Sequence, residues 1–249
     1  MDLRGNMIGF RTMLVFSSRK LVSHRRWLLA VALGALVCAV MGYGATQDMA
    51  DIDTASDMMD LLLLTFLLPV LALIYGASMI RNEMDDRSII QVITSPLDRR
   101  TSYLGYFIAL TIVLVVLLSI ITALGGVSFF MMNGEEGAAG LVLAFMYAMC
   151  IGAVVYSALF LVLGVVLKQP IYLGLFYVFI WEGFVGSLEG AIGQYTIRHQ
   201  LRVIVSDMVS SGNIANVEGD TGTATAILVV LTVVLLVLGV YAFREKEMP

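Results

Sequence analysis

Six stretches of this chain are apolar for about 18 residues or more, roughly the length at which a helix crosses the ~30 Å hydrocarbon core of a bilayer. They fall at 27–44, 61–80, within 103–132, within 140–167, at 171–188 and at 224–243. No other feature limits the fold so strongly. Backbone N–H and C=O groups in hydrocarbon must bond within the chain, so each run is expected to be helical. A β-barrel would need alternating apolar and polar residues, which these runs lack. The third and fourth runs exceed one membrane thickness and should tilt or continue into water. Pro69 should kink the second. Composition agrees: 59% of residues are hydrophobic and 14% charged, against about 25% charged in soluble domains. The expectation is an all-α membrane protein with six transmembrane helices, residues 1–249 forming one membrane domain.

Charge sets the expected orientation. Thirteen of the 15 basic residues fall before the first run, in the second-to-third and fourth-to-fifth connections, or in the tail. Only Arg198 and Arg202 fall on the other side. Basic residues collect on the cytoplasmic side, so both termini are expected in the cytoplasm of a multi-pass cell-membrane protein. The opposite side is acidic, with Asp48, Asp51, Asp53, Asp57 and Asp60 in one connection and Glu135 and Glu136 in another. The first apolar run follows a long basic segment and lacks a small-residue cleavage pattern, so no cleavable signal peptide is expected. Within 5–24, Met7, Phe10, Met13, Leu14 and Leu21 share one arc of a helical wheel. Arg4, Arg11, Arg19 and Arg26 lie roughly opposite. That pattern predicts an interfacial helix on the inner leaflet, in contact with membrane lipid.

Several chemistries are disfavoured. Cys38 and Cys150 sit in separate apolar runs and form no CxxC, and His24 and His199 lie in different segments, so a metal site is not expected. The fifteen methionines are scattered and read as packing residues. There is no G-x-x-x-x-G-K-[ST] and no H-E-x-x-H, so neither P-loop ATP hydrolysis nor zinc proteolysis is expected in this chain. No nucleic-acid partner, and no catalytic or cofactor-binding residue, is expected.

The segment 78–100, SMIRNEMDDRSIIQVITSPLDRR, lies between the second and third runs and carries eight charges of mixed sign. Glu83, Asp85, Asp86 and Asp98 would resist an anionic leaflet, so lipid electrostatics alone do not account for it. Ile89, Val92 and Ile93 make an apolar face at helical spacing before Pro96 ends or turns the helix. Two readings follow from the residues: a short helix that docks in a groove of a cytoplasmic partner, or a solvated connection.

The pattern in 83–105 resembles the intracellular coupling-helix region of permeases of the type-2 ATP-binding cassette transporter family. Glu83 and Asp85 take the family's acidic places and Ser88 stands for its threonine. Ile89, Val92 and Ile93 stand for its leucines, and Pro96, Arg99 and Gly105 match its proline, arginine and later glycine. Arg87 stands where the family has glycine and Tyr106 where it has lysine. A second stretch, WEGFVGSLEGAIGQYTIRHQLR at 181–202, is similar to the end of the fifth span in a subset of these permeases. Its matches are Trp181, Glu182, Gly190, Thr196, Ile197, His199, Leu201 and Arg202. The resemblance implies an exporter whose ATP and Mg are held by a separate cytoplasmic ATPase subunit. That subunit would grip Glu83, Asp85, Arg87, Ser88, Ile89, Val92, Ile93, Pro96 and Arg99, within a coupling segment at 81–100. It also implies a second permease copy or a homologue. In resembling permeases, the region matching 191–223 forms short re-entrant helices over the outer mouth of the path. A rival reading keeps the fold but makes the complex a mechanical transmitter or assembly factor for an extracytoplasmic partner.

Glu182 and Glu189 are the charges in or at the rim of the fifth run, seven residues apart and so on one helical face. An intramembrane carboxylate is costly and faces the bundle interior or water. One reading places both in the translocation path or outer gate. The other has Glu182 bonding to bent backbone and Glu189 merely solvated at the rim.

Overall fold

The computed structural model describes residues 26–46, 51–85, 99–130, 137–187, 193–209, 212–217 and 219–245. The expected interfacial helix at 5–24 lies outside them. So do Arg87, Ser88, Ile89, Val92, Ile93 and Pro96 of the coupling segment, and Glu189.

Among the described residues every regular element is a helix, and five of these helices are long and apolar enough to cross a membrane. Helix α1 is Arg26–Thr46, α2 Ile52–Met59, α3 Leu68–Asp85, α4 Arg99–Phe130 and α5 Ala138–Val166. Helix α6 is Pro170–Phe176, α7 Ile197–Met208 and α8 Thr221–Glu245. Between α2 and α3 the chain winds as a π-helix over Asp60–Leu67, and after α6 it does so again over Tyr177–Phe184. Helix α2, the first π stretch and α3 therefore make one continuous rod. Glu83 and Asp85 fall in the last turn of that rod, and Arg99 opens α4.

Helix α5 is the centre of the bundle and packs against α3, α4, α7 and α8. Its buried face is rich in small residues, among them Ala144, Ala148, Gly152, Ala153 and Gly164. In lipid, where apolar surface alone does not drive helices together, such residues let backbones approach and gain dispersion contact. Gly164 shows the effect: a Cβ there would sit 3.0 Å from the backbone oxygen of Ala77 on α3. Gly239 on α8 plays the same part against α4, because a Cβ would overlap the phenol of Tyr103. Phe243 then packs beside that ring, with centroids 5.8 Å apart. Helix α1 lies along α4 in the same direction, with Gly34 at Ile121 and Gly42 at Ser128. Helix α8 is mostly exposed, presenting Ile227, Val230, Val234 and Val237 outward.

Two elements depart from the sequence expectation. The second rod begins at Ile52 rather than at 61. Asp53, Asp57 and Asp60 recur at i, i+4 and i+7, so a helix aligns them on one face, where later segments of the chain bind them. The fifth apolar run is shorter than expected: Pro170–Phe184 is helical for 15 residues, and a tight 3-10 turn follows at Val185–Ser187. Its end is diverted where Glu182 meets α7.

Candidate functional site

Among the described residues, the most densely bonded polar cluster forms where the two π stretches meet α7. Pro69 accounts for part of the first stretch. It has no N–H to offer a carbonyl in the preceding turn, and the winding just before it widens: the Leu68 N–H reaches back to the Leu63 carbonyl, five residues away. Thr65 Oγ1 likewise donates to the Asp60 carbonyl five residues back, at 3.0 Å.

The second π stretch brings Tyr177 and Glu182 together. In an α-helix, residues five apart diverge by about 140°. A winding that bonds i to i+5 stacks them instead, and Tyr177 Oη donates to Glu182 Oε1 at 2.6 Å. Glu182 is 1% exposed. Its two oxygens also take the first two backbone N–H groups of α7: Ile197 N donates to Oε1 at 3.2 Å and Arg198 N to Oε2 at 3.0 Å. The third, His199 N, donates to the N-cap hydroxyl of Thr196 at 3.2 Å. Every N–H of the first turn thus has an acceptor, and a carboxylate faces the positive end of the helix dipole. Tyr156 Oη, buried on α5, lies within electrostatic reach of the same carboxylate without an aligned hydrogen bond.

Asp60 supplies the second grip. It is 6% exposed, and its Oδ2 accepts from an Arg198 guanidinium nitrogen at 2.9 Å. Arg202 Nε lies 3.3 Å from Oδ1 as an ion pair. Arg198 and Arg202, one turn apart on α7, reach the same carboxylate. Two carboxylates and two guanidiniums balance, which is how such charges can be buried at all. His199 is held below the ordinary imidazole pKa, by burial first and by the neighbouring Arg202 charge second.

The grip extends outward. Gly212 N donates to Asp53 Oδ1 at 2.6 Å. Asn213 gives its backbone N–H and its side-chain amide to Asp57, at 2.8 and 2.7 Å. Gly212 has a φ of +66°, a conformation that glycine adopts readily and other residues rarely. Asp220 accepts from the backbone N–H and hydroxyl of Thr223, both at 2.8 Å, starting α8. These bonds hold its carboxyl below the usual range.

Of the residues read from sequence, the structure brings Glu182, Thr196, Ile197, His199, Leu201 and Arg202 into one place. Glu182 pairs with Tyr177 and α7. Sequence reasoning did not connect Asp53, Asp57 and Asp60 with Arg198 and Arg202, although the i, i+4, i+7 aspartate spacing was a usable signal. Tyr177 carried none, because α-helical periodicity sets it far from Glu182. Among the described residues, no cluster of three or more His, Cys, Asp or Glu is arranged to hold a metal ion.

A family profile described as ABC-2 family transporter protein matches residues 17–248. No curated protein matches the chain.

Proposed function

This chain belongs to the ABC-2 family of transporter proteins, and we propose that it is the permease of an exporter driven by a separate ATPase. The observation that carries the reading is the profile match over nearly the whole length, on a chain with five long apolar helices. Members of this family lack the ATPase domain, so energy must enter through contact with another subunit. The sequence of 83–99 suits such a contact: acidic residues, then apolar Ile89, Val92 and Ile93 at helical spacing, then Pro96 and Arg99. It joins α3 to α4 at the ends that point away from α2 and α7. Pro170–Phe184 serves as a sixth, short crossing in this reading, completed by the α7 region as a re-entrant cover on the outer face. The basic asymmetry of the sequence supports cytoplasmic termini. Two copies, or this chain and a homologue, would enclose the path, and bundle movements driven by nucleotide would alternate its access.

The test is purification of the tagged chain from its native membrane and identification of the proteins that come with it. A nucleotide-binding subunit at fixed stoichiometry is expected. Recovery of the chain without any ATPase would overturn the reading. In reconstituted membranes, stimulation of ATP hydrolysis by a small compound supports export, whereas stimulation only by an extracytoplasmic protein favours mechanical transmission.

A further inference from the structure

We propose that α2, α7 and the Asn213–Asn216 turn open and close as one rigid cap, with the two π stretches fixing its closed position. The inference concerns how this end of the bundle moves, and it holds whatever the complex transports. Three observations lead to it.

First, the parts of the cap are bonded to one another by side chains from distant points of the sequence. Asp53 and Asp57 on α2 hold Gly212 and Asn213, and Asp60 holds Arg198 and Arg202 on α7. Ser206 on α7 donates to the Val203 carbonyl at 2.8 Å and lies 3.5 Å from that of Val217, just past the turn. Breaking the low-exposure Arg198–Asp60 pair would leave both charges unpaired, and the exposed Asp53 and Asp57 bonds tie the 212–213 turn to α2.

Second, α7 rests on the long helices through apolar side chains. Leu201 packs at Gly152 of α5, and Val203 at Gly219 beside the start of α8. Contacts of that kind have little directional preference and allow shear between packed elements.

Third, the directional bonds from the crossing segments to α7 come from the π stretches. Asp60 opens one and Glu182 lies in the other, and both act on Arg198, one through its side chain and one through its backbone N–H. A π stretch holds extra residues relative to α winding. Its relaxation to α would rotate Asp60 and α2 relative to α3, and Glu182 relative to α6, and so withdraw both carboxylates from α7. The two grips therefore set one position, and losing either should free the whole cap.

The test is amide hydrogen exchange on the full chain in lipid nanodiscs. Asp60→Asn should speed exchange about tenfold or more in α7 and also in α2 and 212–217, including residues that Asp60 does not touch. Protection of α5 should stay unchanged. Deleting Leu62, which removes one residue from the first π stretch, should expose the same set of amides. Asp57→Asn, at the far side of the cap, should do so to a smaller degree. Faster exchange confined to the neighbours of each substituted residue would overturn the proposal, since separate elements would then be opening separately. If the deletion leaves α7 as protected as in the parent chain, the π geometry does not set the seat and the proposal fails. Should the deletion abolish protection of α5, the two aspartate substitutions decide the question by the same criterion.

Discussion

Replacing Glu182 by glutamine removes one charge and exchanges one acceptor for a donor, and the structure sets what that must do. Oε1 accepts from Tyr177 Oη and Ile197 N, and Oε2 from Arg198 N. A glutamine amide has one oxygen. With that oxygen in the Oε1 position, the NH2 group meets the Arg198 N–H donor to donor. In the flipped orientation it meets the Ile197 N–H, and Tyr177 must turn its hydroxyl to accept. At least one buried N–H is orphaned either way, at about 1–3 kcal/mol. Losing the negative charge at the helix N-terminus adds about 0.3–2 kcal/mol. Together, roughly 2–4 kcal/mol of α7 docking should be lost, and exchange of the α7 amides should quicken about 30- to 1,000-fold. Glu182→Leu should be at least as damaging, since all three donors lose their acceptor. Tyr177→Phe, which removes one neutral donor, should cost only about 0.5–1.5 kcal/mol. Glutamine would therefore be harmful even for a purely structural carboxylate, so harm from glutamine is no guide to whether Glu182 ionises in a path. The measurement is exchange by mass spectrometry on the purified variants. A glutamine variant with parental α7 protection would refute the capping argument.

Four further outcomes follow. Ile89→Asp or Ile93→Asp should dissociate or uncouple the ATPase, because a carboxylate would be buried without a partner, while Asp98→Ala should retain it; co-purification and ATPase activity in reconstituted membranes check this. Single cysteines at Ser88 and Ser211 in a cysteine-free background should react with impermeant reagents from opposite sides of the membrane, and labelling of both from one side would sink the six-crossing orientation. Gly164→Ala, which places a methyl 3.0 Å from the Ala77 oxygen, should destabilise the α3–α5 contact by about 1–3 kcal/mol, read as a lower unfolding temperature in detergent. His199 has a folded pKa below its ordinary value of about 6.5. Its unfolded form therefore takes up protons first as pH falls, and the stability of the neutral folded form is lost from pH 7 downward. Exchange of α7 amides measured from pH 7 to 5, corrected for intrinsic chemistry, should show a destabilisation that His199→Gln removes.

The long helices were legible because their signal is collective. Runs such as 224–243 contain twenty consecutive residues without an acid or a base, and no tertiary detail can reverse that. The second and fifth crossings show where such reading ends. Composition gives apolar length for 171–188 but says nothing of winding, and a π turn that advances the register by one residue leaves the composition unchanged. The same limit hid Asp60. Read as loop residues, Asp53, Asp57 and Asp60 were only an acidic patch opposite a basic side. Read as one face of a helix, they become three acceptors awaiting donors, and the donors at Arg198, Arg202, Gly212 and Asn213 stand about 140–160 positions later. A single sequence gives no physical means of joining them.

The arrangement of the site follows from what a membrane permits. Where α7 starts, close to the apolar ends of the long helices, its first three N–H groups cannot rely on water. A hydroxyl at Thr196 meets one of them, and the other two need an acceptor from elsewhere. Glu182 reaches them from the second π stretch, and the same winding supplies the Tyr177 hydroxyl to the carboxylate. A buried carboxylate at this depth needs balancing charge nearby, and Arg198 and Arg202 bring two, one more than Glu182 requires. Asp60 takes up the excess, and it can face α7 because the first π stretch begins at Asp60 itself. Each feature thus answers a cost created by the one before it. For that reason the two unusual windings, the paired arginines and the two buried acids are better understood as one device than as five local irregularities.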